Sequence, residues 1–130
     1  DKLSKLIIKY NLNGRVELMT FQKNPYKFMH NVDCLLITSH YEGLPNVVLE
    51  ANACGIPVIG FSTPGVIDVI KPGLNGWLVQ NNNFLEFSFK LDELKPQSFD
   101  RDKIIDYTYK KYNVEYILTQ YEKLFTNNLL

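Results

Sequence analysis

Thr38-Ser39-His40-Tyr41-Glu42-Gly43-Leu44-Pro45-Asn46-Val47-Val48-Leu49-Glu50-Ala51 is the stretch that decides the fold. It follows the apolar run Cys34-Leu35-Leu36-Ile37 and changes from strand-like to helix-like composition across Gly43 and Pro45. The expected order is strand, tight turn, helix. Pro45 suits the first helical position, where its missing N–H would be unpaired anyway, and Gly43 lets the turn approach a ligand with no Cβ in the way. A helix starting at such a turn presents free N–H groups and the positive end of its dipole, which together attract an anion such as phosphate. Two carboxylates frame it: Glu42 in the loop and Glu50 inside the helix. Taken alone, each would be read as a solvated glutamate. Glu50, however, is hemmed by Val47, Val48, Leu49, Ala51 and Ala53, an apolar context in which a carboxylate needs a partner.

Upstream, Leu3, Leu6, Ile7 and Tyr10 recur at helical spacing until Asn13-Gly14, which predicts a helix over about 2–11. Val16 to Thr20 alternates as a strand does, and Pro25 opens a short helix through Tyr26, Phe28 and Met29, with His30 near its end. Asp33 to Ile37 is the strand before the central turn. Downstream, Asn46 to Cys54 reads as a helix, Pro57 to Phe61 as a strand, Gly65 to Ile70 as a short helix and Trp77 to Gln80 as a strand. Alternation of this kind with short loops argues for a parallel sheet covered by helices, with ligands outside the carboxyl ends of the strands. The Ser39–Pro45 loop would lie there. Beyond Asn83 only helices are expected: Phe84–Leu94, Ser98–Tyr112 and Val114–Asn127. Tyr107, Tyr109, Tyr112, Tyr116, Tyr121 and Phe125 fall at helical spacing without a basic face. They are read as packing residues rather than a surface for stacking nucleic-acid bases.

The length of 130 residues fits one domain, and 14 basic against 14 acidic residues give no overall charge that would favour nucleic acid. The apolar runs are too short to cross a bilayer, and the first residues do not resemble a secretory leader, so a cytoplasmic chain is expected. Cys34 and Cys54 are too few for a disulfide framework and are read as free thiols. His30 and His40 have no partner at metal-ligand spacing, so no metal is implied.

Glu42 and Glu50 with Gly-Leu-Pro-Asn-Val-Val-Leu between them resemble the Glu-x7-Glu signature of retaining glycosyltransferases of the GT-B fold, family 4, the glycosyl transferases group 1. Ala-Asn-Ala-Cys-Gly-Ile-Pro-Val-Ile (51–59) continues the same pattern. Phe21-Gln22-x-Asn24-Pro25-Tyr26 with Asn31-Val32-Asp33 is similar to the lead-in of bacterial members. Gly65-Val66-Ile67-Asp68 and Gly73-Leu74-Asn75-Gly76-Trp77-Leu78-Val79 are similar to two later elements of the family.

The resemblance implies an α/β fold, a Rossmann-like parallel sheet flanked by helices and followed by C-terminal helices, forming one half of a GT-B fold. Residues 1–130 would be a partial C-terminal domain binding a nucleotide sugar, with a core over 1–80 and a helical segment over 83–130. Glu42 would be the catalytic residue, facing the donor sugar. Gly43, Leu44, Pro45, Asn46 and Val47 would bind the donor, with N–H groups turned to its sugar and diphosphate. Glu50 would accept hydrogen bonds from the ribose hydroxyls. Physical chemistry supports that last role: a diol presents two adjacent donors to one carboxylate, and such charge-assisted bonds are about twice as strong as neutral ones.

The expected reaction is transfer of a sugar from a nucleotide diphosphate sugar, with UDP as the first guess, to a glycan or lipid-linked acceptor in bacterial cell-surface glycan synthesis. Neither a cofactor nor a metal is expected, since no Asp-x-Asp element is read as one that would hold a metal. The intact enzyme is expected at the inner membrane face. Thr20 stands where the family often has glycine, and Asn52 where it usually has methionine. The basic Arg/Lys pair used against the diphosphate and the acceptor-binding half have no counterpart here, so the chain is expected to be a fragment or one excised domain. Alternatives of other classes are an epimerase or hydrolase of similar architecture, and a non-catalytic α/β interaction module.

Overall fold

The computed structural model describes residues 2–127, so Asp1 and residues 128–130 of the expected domain lie outside the described residues. The elements run Lys2–Lys9 (α1), Tyr26–Met29 (α2), Leu35–Ile37 (β1), Asn46–Ala53 (α3), Val58–Phe61 (β2), Val66–Val69 (α4), Gly76–Val79 (β3), Phe84–Glu93 (α5), Arg101–Tyr112 (α6) and Val114–Asn127 (α7). The strands form a parallel sheet in the order β1-β2-β3, with Leu36 opposite Ile59 and Ile59 opposite Trp77.

Every residue of β2 is buried because helices cover both faces of the sheet, the usual condition of a parallel sheet. Ile37, Val58, Val66, Val69 and Ile70 pack with Val48 and Ala51 of α3 on one face. Ile59, Phe61, Val79 and Phe87 fill the other. There the rings of Phe84 and Phe87 each meet Phe61 edge to face with centroids 5.3 Å apart, an arrangement favoured by the ring quadrupoles. The helix that follows the central turn ends as its sequence requires. Gly55 adopts φ +73°, Ile56 N–H donates to Ala51 C=O and Gly55 N–H to Asn52 C=O, which closes α3 and releases the chain into β2.

Several boundaries correct the expectations. Val16–Thr20 forms no strand, and Val16, Leu18 and Met19 are exposed. A strand needs a partner row of N–H and C=O groups, and this segment reaches neither edge of the three-stranded sheet. Helix α6 starts at Arg101 rather than Ser98. Asp100 accepts from the Lys103 N–H as its cap, while Ser98 Oγ accepts from the Lys95 N–H and closes the turn before it. Of the aromatic residues of α6 and α7 expected to pack, half-buried Tyr112 does pack against the core, Tyr107 is half-buried, and Tyr109, Tyr116, Tyr121 and Phe125 are exposed. Ile104 and Thr108 are the buried residues of α6, whose main contact is with α3.

Asn52, an amide where an apolar side chain would pack, is fully buried, and so is Asn75. The two solve each other's problem. Asn75 Nδ2 donates to Asn52 Oδ1 (2.7 Å) and to Val69 C=O (3.1 Å), Asn52 Nδ2 donates to Ile56 C=O (2.9 Å), and Lys71 N–H donates to Asn75 Oδ1 (2.6 Å). No buried side-chain polar atom among the described residues lacks a partner.

Candidate functional site

The turn from β1 to α3 stands at the carboxyl end of the sheet, where strand order and handedness place ligands in α/β proteins. Pro45 is buried and sits one position earlier than expected, as the N-cap rather than the first helical residue, with φ −75° and ψ 86°. Having no side-chain oxygen, it leaves the amides of Asn46 and Val47 uncapped by any side chain. Gly43 does not need positive φ, and a Cβ added to it would meet nothing within 4 Å. Protein packing therefore gives no reason for glycine at this position; an approaching ligand would.

Glu42 is half-buried in the loop and Glu50 is half-buried on α3. The buried face of α3 is carried by Val48, Ala51 and Asn52, so Glu50 is less enclosed than its apolar neighbours in sequence suggest. It lines a groove of about 380 Å³ whose walls include Tyr26 of α2 and Thr108, Tyr109 and Tyr112 of α6. Neither carboxylate is engaged in a hydrogen bond or ion pair among the described residues. Both remain free to accept from a ligand, and uncapped amides lie between them.

The loop after β2 supports this turn. Thr63 is buried and its Oγ1 donates to Ser39 C=O at 3.5 Å, and Gly65 packs directly against the backbone of Glu42 and Gly43. Thr63 was not singled out by sequence, and Gly65 stood there only as the start of a family-like element, with no role in the site; the Pro64-Gly65 turn dipeptide was a further signal. Nothing in the sequence tied Tyr26 or the tyrosines of α6 to Glu50, because only the fold brings them together.

A larger groove, about 450 Å³, lies beyond the amino end of β3 and contains Leu74, Lys103, Lys110 and Lys111. Its lysines are already partnered: Lys103 with Asp100, Lys110 with Asp106, and Lys111 with the Tyr107 hydroxyl. It carries no carboxylate free of a partner and is far in the fold from the central turn. Asp100-Arg101-Asp102 has Asp-x-Asp spacing. Asp100 is spent as a helix cap, and among the described residues no group of three His, Cys, Asp or Glu side chains is placed to hold a metal. Cys34 and Cys54 are free thiols; burial is the main cause that raises the Cys34 thiol above its ordinary value, with Asp33 adding to it. No helix among the described residues is long and apolar enough to cross a membrane.

The chain is 42% identical over 76 residues to an uncharacterized glycosyltransferase of Methanocaldococcus jannaschii, covering 58% of this chain and 19% of that protein. It is 30% identical over 136 residues to the poly(ribitol-phosphate) alpha-N-acetylglucosaminyltransferase of Staphylococcus aureus (strain COL), covering 98% of this chain and 27% of that protein. Among solved structures, the apo form of the lipopolysaccharide outer core galactosyltransferase WaaB superposes with a TM-score of 0.83 and 29% identity, over 97% of this chain and 37% of that one. Anabaena HepE in complex with UDP shares the fold with a TM-score of 0.77 at 20% identity, over 97% of this chain and 36% of that one. The structural neighbours are GT-B glycosyltransferases, and this α/β sheet with its helices corresponds to one part of such a molecule. The chain spans well under half the length of each of these proteins. The model of the glycosyl transferases group 1 matches residues 1–111, and the chain belongs to that family.

Proposed function

We propose that this chain is the part of a retaining glycosyltransferase that binds the nucleotide-sugar donor, with a core over 1–80 and helices over 83–130. The observation that carries the reading is the pair of unpartnered carboxylates, Glu42 and Glu50, on either side of the uncapped start of α3. Glu50 accepts from the ribose hydroxyls at the mouth of the α2–α6 groove, and Glu42 faces the donor sugar. The N–H groups of Gly43, Leu44, Asn46 and Val47 face the sugar and diphosphate, while Pro45 sets the bend between them.

In transfer, the leaving diphosphate gathers negative charge, and oriented N–H dipoles that cost no reorganisation lower the barrier to that charge development. This assignment routes no step through a metal. UDP is the nucleotide we assign, a choice supported by HepE, whose structures contain UDP and UDP-glucose. The acceptor would be a glycan or lipid-linked glycan held by another part of the enzyme. The names of relatives acting on poly(ribitol-phosphate) and in lipopolysaccharide core biosynthesis support a role in bacterial surface glycans. A cytoplasmic enzyme working at the inner membrane face fits that role.

The test is a panel of UDP- and GDP-sugars offered to the full-length protein carrying this chain, read by release of the nucleoside diphosphate and by the anomeric configuration of the product. Transfer from a UDP-sugar with retention supports the reading. Binding of no nucleotide sugar at all would leave only the interaction module.

A further inference from the structure

We propose that Gly65 is a positioning residue: by accepting two backbone carbonyls against its bare Cα, it aims the N–H groups of Gly43 and Leu44 outward at the donor's diphosphate. This inference rests on the donor-binding reading of the turn. Gly65 is buried, has φ +81°, and stands as the N-cap of α4 in the loop after β2. A Cβ built on it would run into two carbonyl oxygens, those of Glu42 and Gly43, before anything else.

The consequence follows from peptide geometry. In a trans peptide the C=O and the N–H of one unit point in opposite directions. Holding the Glu42 carbonyl toward Gly65 therefore turns the Gly43 N–H away from it, and holding the Gly43 carbonyl there turns the Leu44 N–H away as well. A Cβ added to Gly43 would meet nothing within 4 Å, so the turn is open beside it. Neither N–H makes a hydrogen bond among the described residues. Successive outward amides of this kind form an anion-binding concavity, and it adjoins the uncapped start of α3. Thr63 fixes the same loop from its other end through its bond to Ser39 C=O. At Gly65 any other residue adds both left-handed strain and a collision with the turn.

The experiment compares UMP and UDP affinities in the full-length protein, because their ratio isolates what the second phosphate gains. Gly65→Ala is set beside Gly14→Ala, a glycine with similar φ (+75°) whose added Cβ meets nothing within 4 Å. Gly65→Ala is expected to lower the UDP/UMP affinity ratio by about tenfold or more, the scale of one lost bond to a charged group, and Gly14→Ala to leave it unchanged. General loss of stability would lower both affinities together and leave the ratio intact. An unchanged ratio in folded Gly65→Ala, or an equal fall in Gly14→Ala, overturns the proposal. Should Gly65→Ala fail to fold, Thr63→Val decides: a lowered ratio supports the proposal and an unchanged one overturns it. A wild-type protein that binds neither nucleotide would refute the donor-binding reading itself, a separate outcome.

Discussion

Asn75 Nδ2 lies 2.7 Å from Asn52 Oδ1, with both side chains fully buried and 23 residues apart in sequence. This bond ties the end of α3 to the loop that feeds β3. Removing one partner strands the other. Asn75→Ala leaves the Asn52 carbonyl and the Lys71 N–H without their bonds, each a loss of about 1–3 kcal/mol when buried. Chemical denaturation should show a destabilisation on the order of 3 kcal/mol for this variant. Asn52→Leu combined with Asn75→Leu should cost less than the two single losses added together, since coupled buried partners are not additive. Strict additivity would show that the pair is not coupled.

Asp100 caps α6, and its bond from the Lys103 backbone N–H, assisted by the Lys103 side chain, holds the carboxyl below its ordinary value. A lowered folded value means stability that is fully present above the unfolded value and lost as pH falls through the folded one, that is, below about pH 4. Asn also caps helices and does not titrate. Below about pH 4, then, the wild type should lose stability relative to Asp100→Asn, as followed by thermal melts. Parallel pH profiles would contradict the cap's role in acid sensitivity.

Glu42 is assigned to the sugar and not to the nucleotide. Glu42→Gln keeps the size and removes the charge. Turnover of the UDP-sugar should fall by at least about tenfold, equivalent to about 1.4 kcal/mol of barrier, while UDP affinity stays within about twofold. Loss of UDP affinity with full transfer rate would require the roles of Glu42 and Glu50 to be exchanged.

The 130-residue chain by itself should transfer no sugar at a measurable rate. Holding two substrates in register can contribute roughly 7–11 kcal/mol, and the proposed function places the acceptor on another part of the enzyme. Donor binding by the isolated chain should be weak, since for the diphosphate it offers only the N–H groups of the turn and the dipole of α3, the latter about 0.3–1 kcal/mol. Among the described residues the outer edge of β1 has no strand partner, which invites association between copies. A radiolabelled-sugar assay on the purified chain checks the first point, and light scattering the last. Robust transfer by the chain alone would overturn its assignment as a donor-binding part.

Local signals made the central turn and most elements legible. Gly43 and Pro45 act on their own neighbours, and Gly55 ends α3 through its own φ, so both ends of the helix could be read from a few residues. Val16–Thr20 misled because alternation shows that a segment could be a strand, not that a partner edge waits for it. Ser98 and Asp100 are both good caps, and burial of Phe99 against Trp77 (centroids 4.9 Å) helps place the helix start after it. The groove beside Glu50 was illegible because α2, α3 and α6 meet only in three dimensions. The same holds for Asn75, whose partner lies in another element.

The most direct test of the account is a calorimetric titration of UDP into the full-length protein, wild type against Glu50→Ala. If Glu50 holds the ribose diol, the variant should lose about 1.5–3 kcal/mol of affinity, the range for a hydrogen bond to a charged group, and 2′-deoxy-UDP should discriminate less between the two proteins. Equal UDP affinity in wild type and a normally folded Glu50→Ala would contradict the account.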